Sequence, residues 1–532
     1  MEHRRGTRDL SNRYVVLRVG LFQIRPLMKI VNRGCKWPRG GNNVNMQAAN
    51  TAVLNRDMVT ALARVLHAEL IETHISWVLL AGDTAWKIKK PVTLSFVDYG
   101  TLELRRRFCE EELRLNRQLA PSLYLGVTRI TGTSSAPVLD GPGAVLEYAV
   151  RMRRFPPGAL FSEQISAGTL GGKDVDRLAS LIAEFQRRSP IAVGAHGFAR
   201  AEDRRRVALA ALDGARPVAS AAEQTLLQDW LDASAAALVP LWNTRRENGA
   251  VREGHGDLHL DNVVSLDGGV VAFDCIEFEP TLRWIDVLDD MSFAVMDFSA
   301  RGRSDFAFQL LNQWLDLTGD HSALPALRFS VVYRALVRAQ VEHLRGPDNT
   351  DTARRYLETA LSWMRPGQPK LWITHGLPGS GKTFASQGLL QREGAIRLRS
   401  DVERKRMAGL GMLSDSRGLG LDLYGADATA STYGQLLSLA RAVLQAGYPV
   451  ILDAAFLLRE ERLRALALAR ELDVPFSIVH CEAPTPVMRD RLLARRGDAS
   501  EADAAVLKRL QAVAEPLSGK ELEFVVAAAP MH

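Results

Sequence analysis

The tightest constraint on this chain is the stretch Gly376-Leu-Pro-Gly-Ser-Gly-Lys-Thr383. Its form, G-x-x-x-x-G-K-[ST], puts glycines where successive backbone N–H groups must turn inward around an anion, at conformations that a Cβ forbids. In that pattern Gly376, Gly379, Ser380 and Gly381 shape the cradle. Lys382 reaches the terminal phosphates of a nucleoside triphosphate, and the Thr383 hydroxyl ligates Mg²⁺. The flanks agree. Lys370-Leu-Trp-Ile-Thr374 reads as a short strand, and Phe384 to Leu390 as an amphipathic helix whose N-terminus adds positive charge at the phosphate. The competing account is a Gly-rich turn that matches by accident.

At 532 residues the chain is too long for one ordinary domain. The four cysteines, Cys35, Cys109, Cys275 and Cys481, show no C-x-x-C spacing. This argues against a disulfide framework or a zinc site and fits a reducing cytoplasm. No apolar run is long enough to span a membrane. The formal net charge of +6 is unevenly spread. Residues 1–50 hold ten Lys/Arg against two Asp/Glu, and the rest holds 57 against 59. The basic character therefore belongs to the N-terminal extension and is no evidence for a nucleic-acid-binding body.

From Asp57 the pattern sharpens. Val59 to Leu70 has helical spacing, and Ile75 to Leu80 and Ala85 to Lys89 read as strands joined by a tight turn at Ala81-Gly-Asp-Thr84. Leu104 to Leu119 is a charged amphipathic helix, and Val138 to Met152 a strand pair around Gly141-Pro-Gly143. Residues 174–244 are mostly helical, and Trp284 to Leu361 carries long helical patterns with no obvious strand. Pro366-Gly-Gln-Pro369 marks a linker. Beyond it, strands expected at 371–375, 395–398, 449–453, 476–481 and 523–527 alternate with helices, which implies a parallel sheet. The resulting division is a basic extension at 1–50, a domain at 51–365, a linker at 366–370 and a domain at 371–532.

A second dense motif is His255-Gly-Asp-Leu-His-Leu-Asp-Asn262, an Asp followed five positions later by an Asn. Val271-Ala272 then leads through Phe273 to Asp274. The spacing is that of a kinase catalytic loop. Asp257 accepts the proton of a substrate hydroxyl, while Asn262 and Asp274 converge on Mg²⁺ bridging the nucleotide phosphates. A polar loop capping a helix is the alternative. His259 reads as structural, since Asp257 already supplies the base.

These residues resemble the aminoglycoside phosphotransferase and choline kinase branch of the protein-kinase-like fold, in which His-Gly-Asp replaces His-Arg-Asp. The resemblance spans roughly 57–365 and implies an α+β domain. It makes Lys87 the strand lysine on the α/β-phosphates, with Glu112 as its ion-pair partner and Glu111 a close second. It makes Glu147-Tyr-Ala-Val150 the hinge against which adenine docks. Two features depart from the pattern: no G-x-G-x-x-G loop precedes Lys87, and Gln186 stands where these proteins frequently carry His. Lys89 and Lys90 read as a solvated strand end. The acidic density from Glu277 to Asp290 reads as an N-cap at Asp286 plus surface charge, in preference to a site for a cationic substrate.

In the C-terminal part, Val450-Ile-Leu-Asp453 is an apolar strand ending in Asp, placing a carboxylate beside the Mg²⁺ shell. Asp401 follows the second strand, where substrates bind over strand C-termini, and can take the proton of an acceptor hydroxyl. Arg404 can fix an anionic group there. Ser400 or Asp401 also fits a helix N-cap, and the two readings are compatible. Arg491 and Arg495 lie four apart on one helix face, with Arg496 beside them, either as a basic lid over the transferring phosphoryl group or as a solvated face. Together these residues resemble the small P-loop kinases, such as gluconate kinase, polynucleotide kinase and zeta-toxin-like proteins, with an α/β parallel-sheet P-loop fold.

The joint order resembles bacterial two-domain proteins described as bifunctional phosphotransferase/ATP-binding proteins. That resemblance implies a cytoplasmic kinase using ATP and Mg²⁺ at two separate sites, with small-molecule hydroxyl acceptors. A regulatory protein in which one domain senses nucleotide is the alternative from another class. Phosphorylation of nucleic-acid ends by the C-terminal domain is the third, and it loses support because the charge excess ends at residue 50.

Residues 1–50 lack helix or strand period. The segment Gly34 to Asn45 reads as disordered, and Arg18 interrupts the one apolar run of the extension, against a secretory signal. Translation is expected to start at Met46 or Met58. Mass spectrometry of the native N-terminal peptide checks this, and a peptide mapping inside residues 1–45 rules it out.

Overall fold

The computed structural model describes residues 44–527 except 95–96, 193–196, 417–422, 424 and 495–497. The reading of Gly34 to Asn45 as disordered falls mostly outside these residues, and helix α1 (Val44–Val65) takes in its last two. The chain divides into two compact units, one of residues 1–170 with 259–280, the other of 171–258 with 281–532.

The first unit is built on a six-stranded antiparallel sheet in the order β1-β2-β3-β6-β4-β5. Its strands are β1 (Glu69–Glu72), β2 (Ser76–Ala81), β3 (Thr84–Lys89), β4 (Tyr124–Thr133), β5 (Ala136–Leu139) and β6 (Val145–Arg153). Period-two alternation sorts each strand onto two faces. Trp77 and Leu79 of β2 and Ile88 of β3 pack with Met58, Val59, Leu62 and Ala63 of α1. Lys87 and Lys89 therefore point to the other face. There Val150 packs with Cys109 of helix α2 (Leu102–Asn116) and with Val264 and Phe273. Val264 belongs to a hairpin of the strands Val263–Leu266 and Gly269–Ala272. Helix α3 (Phe161–Ala167) completes the unit.

The turn at Gly82 and Asp83 is as tight as the sequence suggests, with Ala81 opposite Thr84. Strand β4 is not anticipated, because Gly126, Thr128, Arg129 and Gly132 blur its alternation and a bulge interrupts its pairing between Tyr124 and Gly126.

In the second unit, helices α4 (Gly172–Arg188), α5 (Ala201–Ala215), α6 (Ala221–Glu247), α7 (Val287–Ala300), α8 (Ser304–Thr318), α9 (Leu324–Leu344) and α10 (Thr350–Met364) precede a parallel sheet. One short strand, Trp284–Asp286, interrupts the stretch expected to be purely helical and pairs with Val251–Glu253. The sheet has five strands in the order β8-β9-β7-β10-β11: β7 (Leu371–His375), β8 (Ile396–Arg399), β9 (Val450–Asp453), β10 (Phe476–His480) and β11 (Val525–Ala527). Around it lie α11 (Lys382–Glu393), α12 (Ser400–Met407), α13 (Ala426–Gln445), α14 (Arg459–Glu471), α15 (Thr485–Ala494) and α16 (Ala504–Val513). The central strand β7 is flanked by β9 and β10, both parallel to it. All five of its residues are buried, which is why a strand covered on both faces shows no alternation. The linker candidate 366–370 lies inside this second unit.

Glu147 of β6 is fully buried. Its carboxylate accepts from Arg105 Nε at 2.8 Å, Asn55 Nδ2 at 3.1 Å and the Tyr148 amide at 3.0 Å. Burial still outweighs the pull of Arg105 and raises its pKa to about 7. The folded state thus binds this proton more tightly than the unfolded one, so stability falls as pH rises from about 4.5 to about 7. Glu147→Gln is expected to remove this slope, on the order of 2–3 kcal/mol across the window. Urea midpoints of wild type and variant at pH 5 and pH 7.5 test it, and parallel pH profiles would refute it.

Candidate functional sites

In the first unit, Lys87 meets Glu112 Oε1 at 2.9 Å and Asp274 Oδ1 at 2.6 Å. Burial alone would lower the lysine's pKa, yet the two carboxylates hold it above the ordinary range. Glu112 is fully buried, and Lys87 and Lys89 pull its pKa down to about 2 against the effect of burial. Of the two glutamates considered, it is Glu112 that reaches Lys87. Glu111 forms an ion pair with Arg114 on the outer helix surface.

Lys89 is not a solvated strand end. It is 1% exposed, meets Glu112 Oε2 at 2.7 Å, and pairs with Glu277, to which Tyr99 also donates at 2.5 Å. The reason is register, since residues two apart on β3 share the face that α2 covers. Lys90, on the opposite side, pairs with Glu72 at 2.7 Å.

Asp274 adopts a left-handed backbone at φ 65°, a conformation uncommon outside glycine. Tyr124 Oη accepts from its amide at 3.2 Å, and Asn116 Oδ1 accepts from the next amide at 2.9 Å. The Asn262 carbonyl accepts from the Phe273 amide at 2.9 Å, which ties the motif's Asn to the segment that presents Asp274. Two lysines face three carboxylates here, and Asp274 Oδ2 is buried without a hydrogen-bond partner. Burial pushes the Asp274 carboxyl up to about 6. Surplus negative charge and an open carboxylate oxygen fit a divalent cation. The cavity beside Lys87 and Asp274 measures about 20 Å³. The Glu147 carboxylate is committed to Arg105.

In the second unit, the loop that carries Asp257 hangs from Asp290 of α7. Its two carboxylate oxygens accept the amides of His255 at 2.7 Å and Gly256 at 2.8 Å. Gly256 takes φ 83°, and a Cβ on Gly254 would sit 2.4 Å from Asp290 Oδ2. The His255 ring accepts from the Asp257 amide at 3.2 Å. Asp257 itself is 2% exposed. The expectation of surface charge around Asp286 to Asp290 is therefore corrected. Asp286 does cap α7, accepting from the Leu288 amide, but it is also buried against Arg245. Asp289 is held by Arg204 and Ser330. A run of acids at a helix start conceals this, because their partners lie at least 34 residues away in sequence. Gln186 is structural as well. It accepts from Trp314 Nε1 and donates to the Val287 carbonyl, both at 2.8 Å, so it ties α4 to α7 and α8.

The loop Gly376–Thr383 has the backbone that its sequence requires. Gly376, Gly379 and Gly381 take φ 149°, 81° and 102°. A Cβ on Gly376 would lie 2.2 Å from the Cys481 carbonyl oxygen, and one on Gly379 2.7 Å from that of Met488. Lys382 Nζ donates to the carbonyls of Gly376 and Leu377 at 2.9 Å each. Ser380 Oγ is buried with no hydrogen-bond partner. A cradle that only glycines can form, with a lysine at its mouth and an orphaned hydroxyl, fits a polyphosphate. Asp453, at the end of β9, accepts from Ser386 Oγ of α11 at 2.9 Å.

One cleft of about 810 Å³ brings the C-terminal residues together. Gly379, Gly381, Lys382, Thr383, Asp401, Arg404, Asp453 and Arg491 all line it. Arg404 Nη1 bonds Asp401 Oδ1 at 2.7 Å, and Arg491 Nη1 donates to the Gly379 carbonyl at 3.1 Å. Arg491 thus lies over the phosphate loop rather than on a solvated face. Arg495 and Arg496 lie outside the described residues. The N-cap reading of Ser400 or Asp401 is not realised. Arg399 occupies that position without a side-chain cap, because α12 begins directly at the end of β8. Sequence reasoning missed Arg399, Tyr433 and Asp498, which also line the cleft. Of these, Arg399 carried a signal, standing where β8 ends beside Asp401.

Residues 371–517 match the family model described as AAA domain. Uncharacterized proteins of Mycobacterium tuberculosis and Mycobacterium bovis are each 32% identical over 452 residues, 83% of this chain and 89% of theirs. Among solved structures, a Plasmodium vivax ethanolamine kinase is 11% identical, with a TM-score of 0.37, covering 61% of this chain and 96% of that one. A gluconokinase from Sinorhizobium meliloti is 17% identical, with a TM-score of 0.23, covering 31% and 86%. The chain belongs to the family of these mycobacterial proteins, and its residues 371–517 carry the matched AAA domain.

Proposed function

We propose that the chain is an ATP-dependent kinase with two separate sites, each passing the γ-phosphoryl group of ATP to a hydroxyl group of a small molecule with Mg²⁺ present. The observation that carries this reading is the single cleft in which a glycine-built anion cradle, a buried carboxylate and an acceptor-side aspartate face one another.

In that cleft the backbone of Gly376–Gly381 and Lys382 hold the polyphosphate. Thr383 and Asp453 would hold Mg²⁺, which would supply charge neutralisation at the phosphates. Asp401 takes the proton as the acceptor oxygen bonds to phosphorus and the bond to the β-phosphate oxygen breaks. Arg491, with Arg495 four residues further along the sequence, balances charge on the transferring group. Arg404 orients Asp401 and fixes an anionic group of the acceptor.

In the N-terminal domain, which we take as 51–365, Lys87 braced by Glu112 would position phosphates, Asn262 and Asp274 would hold Mg²⁺, and Asp257 would be the base. The backbone around Glu147 receives the adenine. A sensor role for this site, binding nucleotide without transfer, is the second reading. The direct pairing of Lys87 with Asp274 and the cavity of about 20 Å³ beside them favour it.

Asp257→Ala and Lys382→Ala are expected to abolish ATP turnover with different acceptors in a hydroxyl-compound screen, each by about 10²–10⁴-fold. ADP release that survives Asp257→Ala for every acceptor and dies with Lys382→Ala leaves the N-terminal site a sensor. Unchanged turnover in both variants rejects the proposal.

Asp290→Asn removes one of the two acceptors that hold the Asp257 loop. It is expected to lower kcat for the Lys382-independent acceptor by about tenfold or more, while ATP binding changes little. Steady-state kinetics on that acceptor decide, and an unaltered kcat would contradict the role given to Asp290.

A further inference from the structure

Helix α8 belongs by sequence to the helical region before the linker, yet one of its faces is built into the P-loop domain. Phe308, Gln309, Asn312 and Asp316 recur at helical spacing on that face. Phe308 packs against the core formed by Trp372, Leu389, Ile451 and Val479. Gln391 Nε2 donates to Gln309 Oε1 at 2.8 Å. Strand β8 is the edge of the parallel sheet, so one row of its N–H and C=O groups lacks a strand partner. Asn312 supplies one. Its Nδ2 donates to the Ala395 carbonyl at 2.9 Å, and its Oδ1 accepts the Arg397 amide at 2.6 Å. A side-chain amide presents the same donor and acceptor pair as a neighbouring strand.

One turn on, Asp316 is 3% exposed and its Oδ2 lies 3.7 Å from both Arg397 and Arg399. Arg397 is buried and reaches Ser386 Oγ at 3.5 Å and Gln387 Oε1 at 3.1 Å. Ser386 is the residue that donates to Asp453. Arg399 extends into the cleft, where it donates to Asp498 at 2.7 Å. The C-terminal end of α8 is locked in turn, because Arg406 donates to the carbonyls of Leu315 and Asp316 at 3.2 and 2.7 Å. The Leu315 carbonyl also accepts from the Gly319 amide at 2.8 Å, so Arg406 adds a second donor there and its positive charge complements the helix dipole. Gly319 makes room for it, since a Cβ there would sit 2.6 Å from Arg406 Nε.

We propose that helix α8 completes the phosphoryl-transfer site of the P-loop domain, with Asp316 as a positioning residue that acts through Arg397 and Ser386 on Asp453 and through Arg399 on the cleft wall. This rests on the reading of Gly376–Thr383 and Asp453 as the site for ATP and Mg²⁺. Asp316 touches neither. Its carboxylate fixes two arginines that would otherwise repel one another. Arg397 then holds the hydroxyl that orients the Asp453 carboxylate, and direct hydrogen-bond partners of a metal ligand, the place Ser386 takes here, typically change metal affinity by about 10–100-fold.

The test uses the full chain. Asp316→Asn is expected to raise the Mg²⁺ concentration for half-maximal ATP binding at the P-loop by about tenfold or more. Metal-free ATP binding should stay near wild type, and Asp316→Glu should recover most of the Mg²⁺ response. Asn312→Ala should speed hydrogen exchange of the amides at 396–399, while Leu317→Ala on the exposed side of α8 should change neither quantity. Calorimetry with ATP and Mg²⁺, and exchange mass spectrometry, provide the readouts. Wild-type Mg²⁺ dependence in Asp316→Asn, with unaltered exchange in Asn312→Ala, overturns the inference. A loss of both ATP modes in Asp316→Asn that Asp316→Glu does not restore also overturns it, by marking a role in folding alone. ATP binding that Lys382→Ala leaves intact overturns the reading of the loop itself.

Discussion

The first unit depends on placing two lysines of one strand, Lys87 and Lys89, in a buried cluster with Glu112, Asp274 and Glu277. Each buried charge carries a desolvation cost of several kcal/mol, which is repaid only when geometry is good and partners are complete. The period of β3 puts both lysines on the face away from α1, and the turn spacing of α2 puts Glu112 between them. Left-handed backbone at Asp274 brings in the third carboxylate. Sheet, helix and loop must all be in register before any of these charges is satisfied, so the site is also a check on the fold.

The two sites differ in how far they were legible in the sequence. The phosphate loop is a local object. Its function lies in backbone torsions that adjacent glycines impose, and eight consecutive residues suffice to read it. Asp453 and Asp401 followed because a parallel sheet delivers strand C-termini to one edge. The N-terminal candidates come from distant pieces of sequence. Asp257, Asn262 and Asp274 were readable as candidates because their spacing is a pattern, and Lys87 because of the resemblance that this pattern carries. Lys89 was misread because nothing in Lys-Ile-Lys-Lys says where the strand's burial ends. Asp290 was misread because a carboxylate holding two amides of a remote loop looks, in one dimension, like any acid in the first turn of a helix. Asn312 and Asp316 had no signal at all, since a strand edge exists only once the sheet has formed.

A comparable economy governs the polar residues that hold helices together. Gln186 uses both ends of its amide, one on Trp314 and one on the Val287 carbonyl. Asn312 does the same on a strand edge. In each case one side chain with a donor and an acceptor fixes two elements at once, where a hydrophobic contact would leave them free to slide. A histidine at position 186 offers the same pair of functions only in one tautomer.

The edge strand β8 shows what such a contact prevents. An uncovered row of N–H and C=O groups on a sheet is a template for another chain, and natural sheets blunt it with charge, proline or a covering element. Here the cover is α8, which precedes residues 366–370, the linker expected from sequence. A chain cut at that linker would keep its phosphate loop intact but bare the Ala395 carbonyl and the Arg397 amide at the rim of a buried-type strand. The apparent seam in the sequence is therefore a poor place to divide the molecule. What such a cut would release is a sheet with one sticky side, prone to pair with copies of itself.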